Sequence, residues 1–280
     1  MNVVLRVRGN SWWIRQIETV SPAVELSPEE KFRRLVNAAL ATPYFTQREK
    51  AESLLAAPSL KDLPVMPVRH VLDHKSQFLN PKADKARGML RLPFESSACV
   101  VMGKKLRLPK GSTAIEETAI YKLHLSATRM LAATPSVLRR ICALVEARTL
   151  ALPNLCEAVL VLQGLEEGLL YAGERDMLWR CLGVPVFEQW LGLDGELLAW
   201  ECAVHQGMHF RGNRAELEEI DGELVLTSWF GLRTPVLRVA TGFRAEADHR
   251  VCPCGDDHPV LLNLSMKQST APVLQHAAIA

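Results

Sequence analysis

The sequence predicts an α/β fold, in which a helical N-terminal segment precedes a sheet with flanking helices and a small strand-rich corner. Two buried-strand patterns, residues 158–162 and 184–188, enclose a helical pattern at residues 174–182. This order is typical of parallel strands with helices packed on the sheet. After residues 194–195 (Asp-Gly), short strand patterns alternate with turn residues, which indicates the strand-rich corner.

Composition bounds the class of protein. Of the 280 residues, 48% are hydrophobic and 23% are charged, which predicts a soluble globular protein of one large or two ordinary domains. The formal net charge of +2 gives no argument for nucleic acid or an anionic membrane, so neither is predicted as a partner. No apolar run reaches the roughly 18 residues of a membrane span. Seven cysteines without a signal-peptide pattern predict reduced thiols and a cytoplasmic location.

The first predicted unit, residues 1–80, is a helical segment with a linker. Ser27 is a good helix cap and forms a capping-box pattern with Glu30, and apolar residues follow at helical spacing. A second short helix is expected at residues 51–57. Several prolines make residues 59–84 mostly irregular, as in a linker or docking segment.

The second predicted unit, residues 81–264, is an α/β domain, and residues 265–280 are predicted to be a flexible tail. In chain order we expect strand-like runs within residues 91–109 (notably 98–102), helices at 115–132 and 136–148, a strand at 158–162, a helix at 174–182, and strands at 184–188, 197–202, 223–228 and 236–240.

Three cysteines and nearby histidines form a candidate zinc site. Cys202 precedes His205 and His209, and Cys252 and Cys254 follow about fifty residues later. Thiolates are soft ligands, and a turn at Pro253 and Gly255 lets both cysteines of the pair reach one metal ion. The predicted ligands are therefore Cys202, His205, His209, Cys252 and Cys254.

The role of this site follows from its coordination number. Three thiolates and one imidazole complete a tetrahedral shell, so Zn²⁺ is expected to be structural and to hold the loop after Gly242 onto the strand that ends at Cys202. The fourth ligand is His205 or His209, with His258 as a third candidate. The alternative is a turn with unligated thiols.

Further polar groups remain open at this point. Glu188, Asp194 and Glu201 form either a carboxylate group near the end of a buried strand or a cap and a turn. Residues 256–258 (Asp-Asp-His) are a hard-metal cluster or a solvated turn. A histidine that does not bind zinc is a candidate general base.

Motifs between residues 130 and 262 carry a family resemblance. In order, they are 183–190 (Gly-Val-Pro-Val-Phe-Glu-Gln-Trp), 198–202 (Leu-Ala-Trp-Glu-Cys), 207–209 (Gly-Met-His), 222–227 (Gly-Glu-Leu-Val-Leu-Thr), 234–238 (Thr-Pro-Val-Leu-Arg) and 252–255 (Cys-Pro-Cys-Gly). This set resembles the phenylacetate–CoA ligase-like branch of the adenylate-forming enzyme superfamily. The resemblance implies a partial adenylate-forming-enzyme fold, and the last motif is similar to the cysteine turn of the zinc-bearing members.

The nucleotide-binding motifs of that family are missing. No Ser/Thr/Gly-rich loop provides backbone amides for phosphates. Where the family has aromatic-Gly-Ser-Thr-Glu, residues 190–194 read Trp-Leu-Gly-Leu-Asp, and the family's ribose-binding aspartate falls on Phe243. The resemblance also places the mobile domain with the catalytic lysine beyond the end of this sequence, so a truncated relative is expected.

The sequence therefore predicts a truncated phenylacetate–CoA ligase-like protein that has lost ATP-dependent adenylation. It is expected to act as an acyl- or aryl-acid binding or assembly component with a structural zinc. Its partners would be a carboxylic acid, another protein or a second copy of the chain. One alternative is an active acid-activating ligase completed by a partner chain, and another is a zinc-dependent hydrolase. No catalytic or nucleotide-binding residue is assigned.

Overall fold

The computed structural model describes residues 26–83, 90–94, 99–102, 106, 108–125 and 129–267. The α-helices are α1 (Pro28–Leu40), α2 (Arg48–Ala56), α3 (Val68–Asp73), α4 (Pro135–Glu146) and α5 (Glu174–Leu182). The strands are β1 (Met66–Pro67), β2 (Cys99–Met102), β3 (Thr113–Ile115), β4 (Met130–Ala133), β5 (Ala158–Gly164), β6 (Val186–Leu191), β7 (Leu197–Glu201), β8 (Met208–Phe210), β9 (Ala215–Ile220), β10 (Glu223–Ser228), β11 (Val239–Ala240), β12 (Phe243–Asp248) and β13 (Val260–Met266).

The described residues form a central sheet of nine strands, in the order β12-β13-β8-β7-β6-β5-β4-β2-β3. The strands from β3 to β6 pair in parallel, whereas those from β6 to β12 pair antiparallel. Strand β5 is buried at all seven positions, as expected for a strand covered on both faces. Helices α4 and α5 pack on one face against Val159, Val161 and Val186. This arrangement confirms the α/β class, with a large sheet and flanking helices.

A second, four-stranded sheet has the order β1-β11-β10-β9. Its strand β1 comes from the N-terminal part of the chain and pairs in parallel with β11. Leu35 of α1, Leu226 of β10 and Trp190 of β6 belong to one buried cluster. The N-terminal helices, the smaller sheet and one face of the larger sheet therefore share a core.

Several predicted elements are confirmed. Helix α1 begins with the expected capping box, in which Glu30 N donates to Ser27 Oγ (3.2 Å) and Ser27 N donates to Glu30 Oε2 (2.9 Å). Helix α5 and strand β10 have the predicted bounds. The other predicted elements that are found differ in their ends; strand β6, for example, extends to Leu191, and β11 is only two residues long.

The predicted helix at residues 115–132 is wrong. Its described part holds the end of β3, a 3-10 helix at Glu117–Leu125 and most of β4. All four residues of β4 are buried, between parallel neighbours β2 and β5. A short run of apolar residues has no periodicity that separates a buried strand from a helix, and the tertiary pairing decides between them.

Other differences concern segments for which no element was predicted. Residues 59–84 contain α3, β1 and two 3-10 helices, Leu60–Asp62 and Lys75–Phe78. Strands β8, β9, β12 and β13 were not predicted. Of the predicted tail, residues 265–266 complete β13, whereas 268–280 lie outside the described residues, as does residue 98 of the strand predicted at 98–102.

Within the described part of the chain, no helix combines the length and the apolar character needed to cross a lipid bilayer.

Candidate metal centre and the adjoining polar pocket

Four potential metal ligands converge where β7, β8 and the loop before β13 meet. Cys202 directly follows β7, His209 lies in β8, and Cys252 and Cys254 lie in the loop. One ligand atom from each of the four lies within 4.8 Å of the others. His209 and Cys252 are buried, and the other two are half-buried. The structure thus brings together four of the five predicted ligands.

The spacing of these atoms fits a tetrahedral zinc shell. Cys202 Sγ and Cys252 Sγ are 3.7 Å apart, and Cys254 Sγ is 3.3 Å from His209 Nε2. With Zn–S bonds of about 2.3 Å and a Zn–N bond of about 2.0 Å, tetrahedral edges measure roughly 3.8 Å for S···S and 3.5 Å for S···N. The four side chains therefore need only small shifts to surround one ion.

Hydrogen bonds orient the ligand atoms. His209 Nδ1 is 3.3 Å from the carbonyl oxygen of His258, so an Nδ1–H donated to that carbonyl leaves Nε2 facing the thiols. Asp256 N donates to Cys254 Sγ at 3.4 Å. Gly255 has φ +81° and donates to Cys252 O at 2.9 Å, and this turn aims both thiols of the pair in one direction.

An aromatic and charged layer supports the histidine. Trp200 and His209 are opposite each other in the β7–β8 register, and their rings stack with centroids 5.6 Å apart. The Arg91 guanidinium lies 4.2 Å from the Trp200 ring centroid and donates to Asp256 Oδ2 at 2.9 Å. Sequence reasoning missed Arg91 because it precedes the cluster by more than a hundred residues.

Without a metal ion, the environment favours the neutral form of the ligands. Burial raises the pKa of the Cys254 thiol to about 12 and also raises the pKa of Cys202. Burial lowers the pKa of His209, which keeps the imidazole neutral and able to bind a metal. A cation that binds here must therefore displace the thiol protons.

His205 is separate from the cluster. Its Nδ1 is 2.8 Å from Glu201 Oε1, and its ring packs on Phe187 with centroids 4.6 Å apart. His258, the third candidate, is directed to Asp256, with its Nδ1 2.6 Å from Oδ1. Asp256, Asp257 and His258 form a second group with metal-ligand spacing, in which Asp257 is exposed. Asp256 already accepts bonds from Arg91 and His258.

Two of the three predicted carboxylates meet in a polar pocket. Glu188 and Glu201 lie on neighbouring strands, and Arg175 of α5 contacts both. Arg175 donates to both carboxylate oxygens of Glu201, one of them at 2.8 Å. Gln163 Nε2 donates to Glu188 Oε2 at 2.6 Å. Sequence reasoning missed Arg175 of α5 and Gln163 of β5, since neither a charged residue in a helix nor an amide in a strand has a local pattern that reveals its buried partner.

Asp194, the third carboxylate, lies elsewhere. Its Oδ2 accepts hydrogen bonds from the backbone N–H groups of Arg233 (2.9 Å) and Thr234 (3.0 Å). It therefore joins the loop after β6 to the loop that contains residues 233–234. Nearby, the Glu196 carboxyl fills the space over Gly192, where an added Cβ would lie 2.3 Å from it. The loop at the carboxyl end of β6 is thus filled by the chain's own side chains.

Comparison with solved structures finds 2-hydroxyisobutyryl-CoA ligase in several states. Its postadenylation state in complex with R3-HIB-AMP matches with a TM-score of 0.56 and 14% identity, over 91% of this chain and 72% of that chain. Its thioesterification state in complex with 2-HIB-AMP and CoA gives 0.57 and 13%, over 86% and 68%. An open conformation with the same two ligands gives 0.54 and 14%, over 84% and 68%.

These neighbours are adenylate-forming ligases, and the chain shares part of their fold. At this level of identity the similarity establishes the fold alone. No protein-family model matches the chain, and no curated protein does.

Proposed function

We propose that the chain is a relative of the phenylacetate–CoA ligase-like enzymes that no longer adenylates. It serves as a binding or assembly component whose strand-rich corner is held by a structural zinc ion. The ligands of the zinc are Cys202, His209, Cys252 and Cys254. The observation that carries this proposal is the convergence of three thiols and one imidazole within 4.8 Å of one another, with two of the separations near tetrahedral values.

The donor set supports zinc over harder cations. Thiolates and imidazole are the ligands of structural zinc sites, whereas magnesium and calcium take oxygen ligands. The bond from His209 Nδ1 to a backbone carbonyl and the N–H donated to Cys254 Sγ are the outer contacts that such sites use. When bound, zinc would supply a cross-link between the end of β7, strand β8 and the loop before β13.

Four protein ligands leave no open position on the metal. Hydrolytic zinc sites use three protein ligands and keep the fourth position for water. The described cluster has four, so it favours a structural role over a zinc-dependent hydrolase.

Loss of adenylation is supported by the residues at the family's nucleotide positions. Phe243, which replaces the ribose-binding aspartate, is buried against Trp190 with ring centroids 5.7 Å apart. A phenyl ring accepts no hydrogen bond from a ribose hydroxyl. Asp194 is already satisfied by two backbone N–H groups, and Glu196 covers Gly192. These contacts leave little room for a nucleotide at the end of β6.

A carboxylic acid, a partner protein or a second copy of the chain is the proposed partner. Because the phenylacetate–CoA ligase-like branch activates acids, phenylacetate is the acid to use as a probe. Binding of phenylacetate without ATP would favour the role of a binding component. If phenylacetate does not bind, the assembly role is favoured.

The first experiment measures the metal and its effect on stability. Protein purified without added zinc should contain about one zinc ion per chain. Cys254→Ser should lose that zinc and unfold at a much lower temperature, because a structural zinc contributes several kcal/mol to folding. The matched control is Cys156→Ser, which changes an exposed thiol and should alter neither property. Zinc retained in Cys254→Ser would contradict the ligand assignment.

The second experiment tests adenylation separately. ATP with Mg²⁺ should leave the melting temperature unchanged, because a ligand that binds the native state must stabilise it. A rise of several degrees would overturn the loss of adenylation and favour the ligase completed by a partner chain. Mixing the chain with phenylacetate, ATP and CoA should likewise yield no pyrophosphate.

A further inference from the structure

The polar pocket on the other face of the sheet is a second candidate site. Its cavity of about 410 Å³ lies where β6, β7, β8 and β13 meet. Its polar walls include Glu188, Glu201, His205 and Gln206, and its apolar walls include Met208 and Leu262. Glu201 pairs with Met208 in the register, whereas Trp200 pairs with His209, so pocket and metal centre lie on opposite faces.

Two carboxylates in this pocket share one guanidinium. Arg175 forms a two-pronged ion pair with Glu201 and also donates to Val186 O at 3.0 Å. Its nearest approach to Glu188 is 3.4 Å, to Oε1, and no hydrogen bond joins them in the described structure. The formal charges of Arg175, Glu188 and Glu201 sum to −1.

Glu188 is the carboxylate whose charge is least compensated. Burial raises its pKa; the charge of Arg175 opposes this rise, and the charge of Glu201 adds to it. Oε2 accepts a hydrogen bond from Gln163, while among the described residues Oε1 has only the 3.4 Å contact with Arg175. Glu188 is half-buried and its carboxylate is only partly paired, so a cation near Oε1 would be stabilised.

The wall opposite these carboxylates is preformed. The loop between Cys202 and Gly207 contains His205 at φ +55°, a left-handed conformation that a residue other than glycine rarely adopts. Gly207 has φ +126°, and a Cβ there would lie 2.6 Å from Leu261 O. The loop is therefore tightly packed on β13, and the pocket keeps its shape without a ligand.

We propose that this pocket binds a small primary amine with an apolar tail. The ammonium group donates to Glu188 Oε1 and completes the charge that Arg175 leaves unbalanced. The tail lies on Met208, Leu262 and Leu264. A carboxylate ligand is disfavoured because it would meet two carboxylates of like charge. This inference does not depend on the zinc, so each can fail alone.

The test compares two probes of similar size and opposite charge, n-butylammonium and butyrate, at equal ionic strength. Ligand-observed saturation-transfer NMR should give saturable binding of n-butylammonium, with butyrate at least about tenfold weaker. Glu188→Gln should weaken amine binding by about tenfold or more, since it removes the charge and keeps the shape. The matched control is Glu219→Gln, on an exposed position of β9, which should leave binding unchanged.

A second variant decides the outcome if Glu188→Gln does not fold. Gln206→Trp places a large side chain on an exposed wall residue and retains both carboxylates, so it should block the amine by filling the cavity. Equal binding of the two probes, no saturation by the amine, or full amine binding in either folded variant would overturn the proposal.

Discussion

Glu196 is a carboxyl group buried with one of its oxygens unpaired. Its Oε1 accepts a hydrogen bond from Ser228 Oγ at 2.5 Å, while Oε2 has no partner among the described residues. Burial raises its pKa to about 7, and nearby Asp194 acts in the same direction. The native state therefore holds a proton that the unfolded chain, with an ordinary value of 4.5, releases at lower pH.

This difference predicts a pH-dependent stability. The contribution of Glu196 to the free energy of unfolding is full below about pH 4.5 and is lost as pH rises through about 7. Glu196→Gln should remove this loss and be more stable than the parent at pH 8 by as much as about 3 kcal/mol. Urea denaturation at pH 5 and pH 8 measures the free energy of unfolding of the parent and the variant. The control is Glu49→Gln, which changes an exposed carboxyl group and should keep the pH dependence of the parent. Equal pH dependence in the parent and Glu196→Gln would refute the assignment.

The sequence did not determine which histidine joins the three cysteines. Spacing alone left His205 and His209 as candidates for the fourth ligand, with His258 as a third. The structure distinguishes them because successive side chains of a strand point to opposite faces of the sheet. His209 lies opposite Trp200 and on the same face as the thiols. His205 turns to Glu201 through its left-handed backbone. Neither the register of β7 and β8 nor a positive φ at His205 is encoded in a local pattern.

At the scale of elements, Gly207 sets the distance between β8 and β13. It joins the Cys202 loop to β8, and its φ of +126° suits glycine. An added Cβ would lie 2.6 Å from Leu261 O and 2.7 Å from Val260 Cγ1, both in β13. The strand that carries His209 is therefore positioned by a close backbone contact.

Gly207→Ala should destabilise the protein by a few kcal/mol, because the backbone conformation and the clash both oppose the methyl group. It should also weaken zinc retention against a chelator. Gly222→Ala is the matched control, since Gly222 has φ +70° but open space around its Cβ, and about 1 kcal/mol is expected there. Thermal unfolding measures both. Similar losses of stability in Gly207→Ala and Gly222→Ala would show that the contact of Gly207 with β13 is unimportant.

Elements were predictable where periodicity or turn residues were strong. Helix α1 has a complete capping box, and helix α5 ends at Gly183 in a left-handed conformation. Strand β4 was predicted as helix because its four apolar residues follow a segment of mixed pattern. Strands β12 and β13, at one end of the larger sheet, were missed because their polar and apolar residues do not alternate regularly.

At the scale of the whole molecule, Arg238 joins the N-terminal segment to the smaller sheet. It forms a two-pronged ion pair with Glu218 of β9 (2.9 and 3.1 Å). It also donates to the backbone carbonyls of Lys61, at 2.7 Å, and Leu63. Its side chain is 10% exposed and that of Glu218 15% exposed, so solvent screens this pair little.

Arg238→Ala should lower the free energy of unfolding by roughly 3–5 kcal/mol, because it leaves Glu218 and two carbonyls unpaired in a buried site. Arg48→Ala is the contrast: its ion pair with Glu52 is exposed, and a loss of less than about 1 kcal/mol is expected. Chemical denaturation gives both values. A small effect at Arg238 would mean that the N-terminal segment packs independently of this residue.

We propose that one zinc ion bound by three thiolates and one imidazole holds the strand-rich corner of this fold. X-ray absorption at the zinc edge of the purified protein tests it most directly. The spectrum should fit three sulfur atoms at about 2.3 Å and one nitrogen atom at about 2.0 Å. A shell of nitrogen and oxygen alone, or a protein that folds stably and takes up no zinc, would contradict it.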